Sequence, residues 1–311
     1  MKIRAFIPSD YPALTHLYAR AYPDAPRSEA ELRYLDSRQR PPYEHARWVA
    51  EAHGELHGWS GYTQHPSWYH PDHYDLEFGV APEAQEVAEE LYDRVTAALR
   101  ARGAARLRTN VRESYPEQLN FFLSRGFVET QRSWLSTLEL RGFDSERFEE
   151  VRAEAVRAGF EVMSVAALEA DEARLGELYT FYQELVADLP RTQPYTPWSF
   201  EQFVTHRRTS PLLLPEGSFI AQHENTLAAV SELKKSAQPG ELQTGLTAVR
   251  RAYRGRGLGL LCKLYAVAYA QAQGAARLTT RNASSNGAML HINETLGFVR
   301  AAADIELLRE L

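Results

Sequence analysis

Thr244-Gly-Leu-Thr-Ala-Val249, followed closely by Arg254-Gly-Arg-Gly-Leu-Gly259 and an apolar run from Leu258 to Ala270, is the stretch that decides the fold. An extended run ending at Val249 opens through glycines onto the start of a helix. The first turn of a helix carries N–H groups without intrahelical partners and a partial positive charge, so such a junction can receive phosphate. Two nucleotide motifs fail on spacing. A Walker loop needs Gly-Lys-Ser/Thr, and the nearest lysine, Lys263, follows Cys262 well inside the helix; a dinucleotide fingerprint from Gly255 would need glycine where Leu260 stands. The pattern that fits is Arg/Gln-x-x-Gly-x-Gly/Ala, met by Arg254, Gly257 and Gly259.

Downstream, Leu278-Thr-Thr-Arg-Asn282 reads as a strand, and Asn286-Gly-Ala-Met289-Leu-His-Ile-Asn293-Glu-Thr-Leu-Gly297-Phe298 as a helix ending in Gly-Phe. This ordered set resembles the GNAT superfamily of N-acetyltransferases. The resemblance implies an α/β fold built on a mixed, mostly antiparallel twisted sheet flanked by helices, with acetyl-CoA as cosubstrate. It further implies that acetyl-CoA lies in a V-shaped gap between the strand ending at Val249 and the strand at Leu278 to Asn282. The backbone of Thr247, Ala248 and Val249 would pair with the pantetheine arm. The turn of Arg254, Gly255, Arg256, Gly257, Leu258 and Gly259 would take the pyrophosphate, and Asn282, Asn286 and Asn293 would hydrogen-bond the arm.

The 311 residues, 44% apolar and 24% charged, suit two ordinary domains. A single cysteine, Cys262, forbids an internal disulfide and suits a cytoplasmic setting. In Leu260-Leu-Cys262-Lys-Leu264 it reads as packing rather than as a nucleophile. No apolar run approaches a membrane span, and proline and charge interrupt the N-terminus before a signal core could form. A net charge of −6 argues against a nucleic-acid partner. The local cluster Arg250, Arg251, Arg254 and Arg256 is read as screening the phosphates of a bound cofactor.

An internal repeat doubles the pattern. Gly103-Ala-Ala-Arg-Leu recurs as Gly274-Ala-Ala-Arg-Leu, 171 residues on, and Gly126-Phe127 recurs as Gly297-Phe298 at the same spacing. Two tandem domains follow: residues 1–141, a connecting helix over 142–158 with Asp144 as its N-cap, and residues 159–311. In this sequence the tandem arrangement, with Asn293 in its setting, is similar to the subgroup that contains mycothiol synthase. The copies differ at the glycine turn. Where the second has Arg254 to Gly259, the first has Gln85-Glu-Val-Ala88-Glu-Glu90, two residues shorter before the shared Gly-Ala-Ala-Arg. Three glutamates would crowd two phosphates, which is unfavourable at short range in a low dielectric, so the first domain is expected to hold coenzyme A poorly. The His65-to-Asp75 segment reads as an aromatic, histidine-rich loop before a strand at Leu76, and no metal is assigned to it.

The reaction implied is direct acetyl transfer to a primary amine on a small molecule, with monomer or homodimer as the assembly. Many relatives carry a glutamate where this chain has Gln243, so Glu241, two residues earlier on the same strand face, is the candidate base. Many also carry a proton-donating tyrosine where this chain has Asn293, an amide that can donate a hydrogen bond but cannot act as an acid. Tyr253 is then an alternative donor. Two other readings stay open: a sensor that binds acyl-CoA or an acceptor without turnover, and a protein N-acetyltransferase. The acceptor is expected to meet the loops Asp188 to Trp198 and His65 to Tyr74.

Overall fold

The first half of the chain runs β1 (Lys2–Ala5), α1 (Tyr11–Ala21), α2 (Glu29–Ser37), β2 (His45–Ala52), β3 (Glu55–Thr63), β4 (His73–Val80), α3 (Ala88–Arg100), β5 (Arg106–Arg112), α4 (Pro116–Leu123) and β6 (Val128–Glu139). The second half runs α5 (Glu149–Arg157), β7 (Phe160–Ser164), α6 (Val165–Glu169), α7 (Leu175–Ala187), α8 (Phe200–Thr209), β8 (Leu213–His223), β9 (Thr226–Lys235), β10 (Glu241–Val249), α9 (Leu258–Ala272), β11 (Arg277–Ala283), α10 (Gly287–Leu296) and β12 (Val299–Glu310). The computed structural model describes residues 1–39, 41–189 and 195–311. The expected loop from Asp188 to Trp198 therefore lies partly outside the described residues.

The repeat is visible element by element. β5 and β11 begin at Arg106 and Arg277, and β6 and β12 begin at Val128 and Val299, in each case 171 residues apart. Within each copy the strands pair antiparallel except for one parallel pair, β4 with β5 and β10 with β11. A parallel pair needs a crossover, and α3 and α9 supply it.

The chain folds into two compact units whose membership differs from a cut at residues 141 and 159. One comprises Met1–Arg132 with Asp304–Leu311, and the other contains Ser133–Asp188 and Pro197–Ala303. Leu135 to Glu139, which fall within residues 1–141, pair with β11 in the second unit, Leu135 opposite Arg281. Asp304 to Glu310 pair with β5 in the first unit. The two closing strands have exchanged units. Because the copies share one pattern, each closing strand offers the β-strand ladder it joins the same alternation.

In the first unit Leu14 and Leu17 of α1 and Leu91, Val95 and Leu99 of α3 are buried with Trp59 and Leu107 of the sheet. The i, i+4 spacing of Leu91, Val95 and Leu99 puts them on one face of α3. In the second unit α9 is buried at nearly every position from Leu258 to Val267. Leu264 and Val267 pack with Leu138, Leu278 and Leu296, while Leu258, Leu261 and Cys262 pack with Phe160 and Ala221. Before α5, the Asp144 carboxylate accepts from the Glu146 N–H at 2.9 Å, opening the short turn that leads into it.

Candidate active site

β10 pairs with β11 only where Glu241, Leu242 and Gln243 meet Arg277, Leu278 and Thr279. Beyond that point the two strands part. Thr247, Ala248 and Val249 keep Ser231, Val230 and Ala229 of β9 on one side, which leaves their other edge facing the gap. An extended ligand can add to such an edge as a further strand. The register of β10 against β9 shifts between Thr244 and Thr247, a bulge that falls beside the gap.

At the wide end of the gap the chain enters α9 through Gly255 and Gly257, both left-handed, at φ 77° and 71°. Gly257 is the N-cap, no side chain caps the helix, and its carbonyl accepts the N–H of Leu261 at 2.9 Å. A side chain at φ 71° would be strained, and without one the first-turn N–H groups face outward. A Cβ on Gly259 would lie 3.2 Å from Ile292 Cδ1 and 3.5 Å from Val249 Cγ2, so glycine lets helix, strand and α10 approach closely. The turn is a cradle for an anion of pyrophosphate size.

The basic cluster around it is engaged. Arg254 donates through Nε to the Val249 carbonyl at 3.1 Å and through Nη2 to Asp188 at 2.8 Å. Arg251 also donates to Asp188, and Arg250 donates to Glu184 at 2.6 Å. The Arg256 guanidinium lies 5.6 Å from the centre of the Tyr253 ring. Hydrogen bonds from Arg251, with its charge and with Arg254, hold the Asp188 carboxyl below the usual carboxylate range. Phosphates reaching these exposed arginines would exchange one anion for another.

On the opposite wall, Asn293 Nδ2 donates to Asn282 Oδ1 at 2.7 Å, so two of the predicted asparagines meet across β11 and α10. Asn293 Oδ1 in turn accepts from Lys263 Nζ. Lys263 is 1% exposed, and its Nζ lies 4.8 Å from the centre of the Phe298 ring. Burial lowers it to about 7. Asn286 stands apart from these two: its side chain caps α10 by accepting the Met289 N–H at 3.3 Å.

Glu241 lies at the closed end of the parting strands, where it accepts from Ser236 and Thr279 hydroxyls, each at 3.1 Å. The gap opens three residues further along, so the expected base is not brought to it. Tyr253 packs against Phe160 and His223, in the short turn before the cradle, and is likewise removed from the Asn282–Asn293 wall. Cys262 is fully buried and burial pushes its thiol up to about 12, so it packs and does not react.

A carboxylate that sequence spacing did not single out does reach the bulge. Glu232 Oε2 accepts the Leu246 N–H at 3.2 Å, while Oε1 accepts from Tyr182 at 2.9 Å and from Arg207 at 2.7 Å. Burial alone would raise its carboxyl, but Arg207, Lys234 and the hydrogen bonds more than offset that and hold it low. Glu232 is a fixed anion that orders the bulge, and a poor base. The sequence signal was an isolated Glu in Val230-Ser-Glu-Leu233, an acidic side chain in a buried strand.

A family model described as acetyltransferase (GNAT) matches residues 11–127 and 178–298. The chain belongs to the GNAT acetyltransferase family. Acyl transfer is that family's chemistry. No curated protein matches the chain in sequence. The fold is shared with a tandem GNAT protein from the clavulanic acid biosynthesis pathway, 18% identical, with 99% of this chain and 98% of that one covered at a TM-score of 0.71. A GCN5-related N-acetyltransferase from Sphaerobacter thermophilus is 17% identical, with 99% and 95% covered at a TM-score of 0.71. An acetyltransferase from Colwellia psychrerythraea is 14% identical, covered fully on both sides at a TM-score of 0.66.

The first GNAT region has the same parting strands, since β4 pairs with β5 only at His73, Tyr74 and Asp75. Its gap is filled from within. The Phe78 carbonyl, the counterpart of Thr247's in β10, accepts from Tyr22 OH at 2.7 Å and from Gln118 Nε2 at 3.4 Å. Phe78 also stacks on Phe121 at 5.2 Å. The chain enters α3 from a 3-10 turn over Pro82–Val87 instead of through glycines, and the Ala88 N–H already bonds the Gln85 carbonyl. Gln85, which matches Arg254, donates to Ala81, and Glu89 pairs with Arg125.

The histidine-rich segment of this region is more ordered than a loop, and β4 starts at His73 rather than Leu76. His65 stacks on Trp68 at 3.7 Å and its Nδ1 accepts the Ser67 N–H, while burial lowers it to about 3. His70, Asp72 and His73 bring ligand atoms within 4.8 Å of one another, but the rings of the two histidines stack at 19°. His70 Nδ1 and His73 Nε2 both face Asp72 Oδ1, so this carboxylate already occupies the point on which the two rings converge. No helix among the described residues is long and apolar enough to cross a membrane.

Proposed function

We propose that the chain is an N-acetyltransferase whose second unit transfers an acetyl group from acetyl-CoA to a primary amine on a small molecule, while the first unit holds no coenzyme A. One observation carries this reading: among the described residues, of two copies of the same parting-strand frame, only the second joins an unfilled strand edge to a left-handed glycine turn. The Thr247 to Val249 edge would hydrogen-bond the pantetheine arm, and the N–H groups from Gly255 to Gly259 would take the pyrophosphate. Arg254 and Arg251 would then share their charge between phosphate and Asp188. Asn282 and Asn293 would form the opposite wall, with Asn293 Nδ2 as a hydrogen-bond donor for the thioester.

The acceptor must lose a proton before its nitrogen attacks, because an alkylammonium titrates near ~10. Glu232 is held by Arg207 and Glu241 by two hydroxyls, so neither is free to take that proton, and water in the gap is the proposed route. The arrangement favours a direct transfer over a covalent enzyme intermediate, since Cys262 is buried and its thiol is pushed up. Thiol release from acetyl-CoA against a panel of amines tests the reading. Acceptor-dependent release is expected; coenzyme A binding without release for any amine or peptide would favour a sensor, and release for peptides alone a protein acetyltransferase.

A further inference from the structure

Lys263 is an anomaly that acetyl-CoA binding does not require. The chain has four lysines, Lys2, Lys234, Lys235 and Lys263, against thirty-one arginines, and this one is inside the second unit. A buried ammonium is normally paired with a carboxylate, because leaving it alone costs several kcal/mol. Among the described residues the hydrogen-bond partner of Nζ is the amide oxygen of Asn293, and no carboxylate lies within salt-bridge reach. An apolar residue would fill the position at lower cost.

Its place along the gap follows from the frame. Because β10 and β11 are parallel, α9 runs back antiparallel to β10. Lys263 is five residues into α9, about 8 Å from the cradle. Leu246 is three residues before Val249, about 10 Å back along β10. Lys263 is therefore level with the bulge, where the reactive end of a chain laid along that edge would come. As an ammonium Lys263 can only donate, and in that state it obliges Asn293 to present Oδ1 to it and to turn Nδ2 onto Asn282.

We propose that Lys263 is a positioning residue for acyl transfer: its amine locks the orientation of the Asn293 amide and sets positive charge behind the departing sulfur. The inference rests on the reading that acetyl-CoA lies along β10. When the amine nitrogen bonds to the acyl carbon and the C–S bond breaks, the electron pair stays on sulfur and the proton lost by nitrogen leaves through water. The Lys263 ammonium would favour that thiolate by polarising the Asn293 amide, whose second N–H, not used on Asn282, is the donor available to it. The pairing is reciprocal, so a thiolate in the gap raises the basicity of Lys263. Burial is the sole cause that lowers Lys263, with no charged side chain of α9, α10 or the neighbouring strands contributing.

Bound coenzyme A reports this without any acceptor, through the ultraviolet absorption of its thiolate. With coenzyme A bound, its thiol and Lys263 should titrate as a coupled pair, so thiolate absorbance should appear at lower pH than for free coenzyme A, and in Lys263→Met it should return to the free value while binding persists. Equal titration in both proteins overturns the proposal. Failure of the wild type to bind coenzyme A overturns the underlying reading instead, and the proposal with it. A second measurement needs no variant: with 13C at lysine Cε the wild type should give one resonance that titrates near 7 and moves to higher pH when coenzyme A is added. A Lys263 resonance indifferent to coenzyme A contradicts the proposal even if Lys263→Met fails to fold.

Discussion

Gly257 and Lys263 are the two residues on which the most depends. Gly257 supplies a left-handed N-cap and leaves the first turn of α9 open. Gly257→Glu adds backbone strain and a negative charge at the mouth of the cradle, so calorimetry should show coenzyme A affinity falling by at least a hundredfold, a loss of about 3 kcal/mol. Lys263 makes a separate prediction about stability. Its folded value near 7 lies below the unfolded 10.5, so the unfolded state binds more protons between those values and stability rises with pH across that window. Below pH 7 the full penalty is present. Lys263→Met removes this dependence, so its advantage over the wild type in urea unfolding should be larger at pH 6.5 than at pH 9 by about 2 kcal/mol. An equal difference at the two pH values would show that Lys263 is not depressed.

The elements that frame the site were legible to different degrees. The strand, glycine turn and helix at Val249 to Ala270 are written in local spacing, and so are the Asn helix and Gly297-Phe298. The exchange of closing strands was not legible, because β6 and β12 carry similar patterns and local spacing does not say which ladder each joins. Glu241 looked poised because strand alternation gives the face of a side chain, but not whether the neighbouring strand is still paired there. Glu232 and Lys263 escaped notice because their meaning lies in burial and in partners 25 to 50 residues away. The arginine cluster reads as waiting for phosphate, while Glu184 of α7 and Asp188, which caps that helix, are already paired with it. Asp188→Asn should therefore tighten coenzyme A binding by a modest factor, about two- to fivefold, as expected for exposed pairs. The gain should shrink in high salt, and a weaker affinity at low salt would mean that Asp188 orders the cradle instead of competing for it.

At the scale of the whole chain, duplication has produced two copies of one frame with different contents. In one, Tyr22 and Gln118 satisfy the strand carbonyl that a ligand would need, and a 3-10 turn carries the chain into α3. In the other, no described residue fills the strand edge or the glycine turn in this way. The central claim is that coenzyme A binding belongs to the second copy alone. The most direct measurement is a calorimetric titration of the intact chain with coenzyme A, repeated on Gly257→Glu. The account predicts one site per chain in the wild type and none in the variant; two equivalent sites, or one site surviving in the variant, would contradict it.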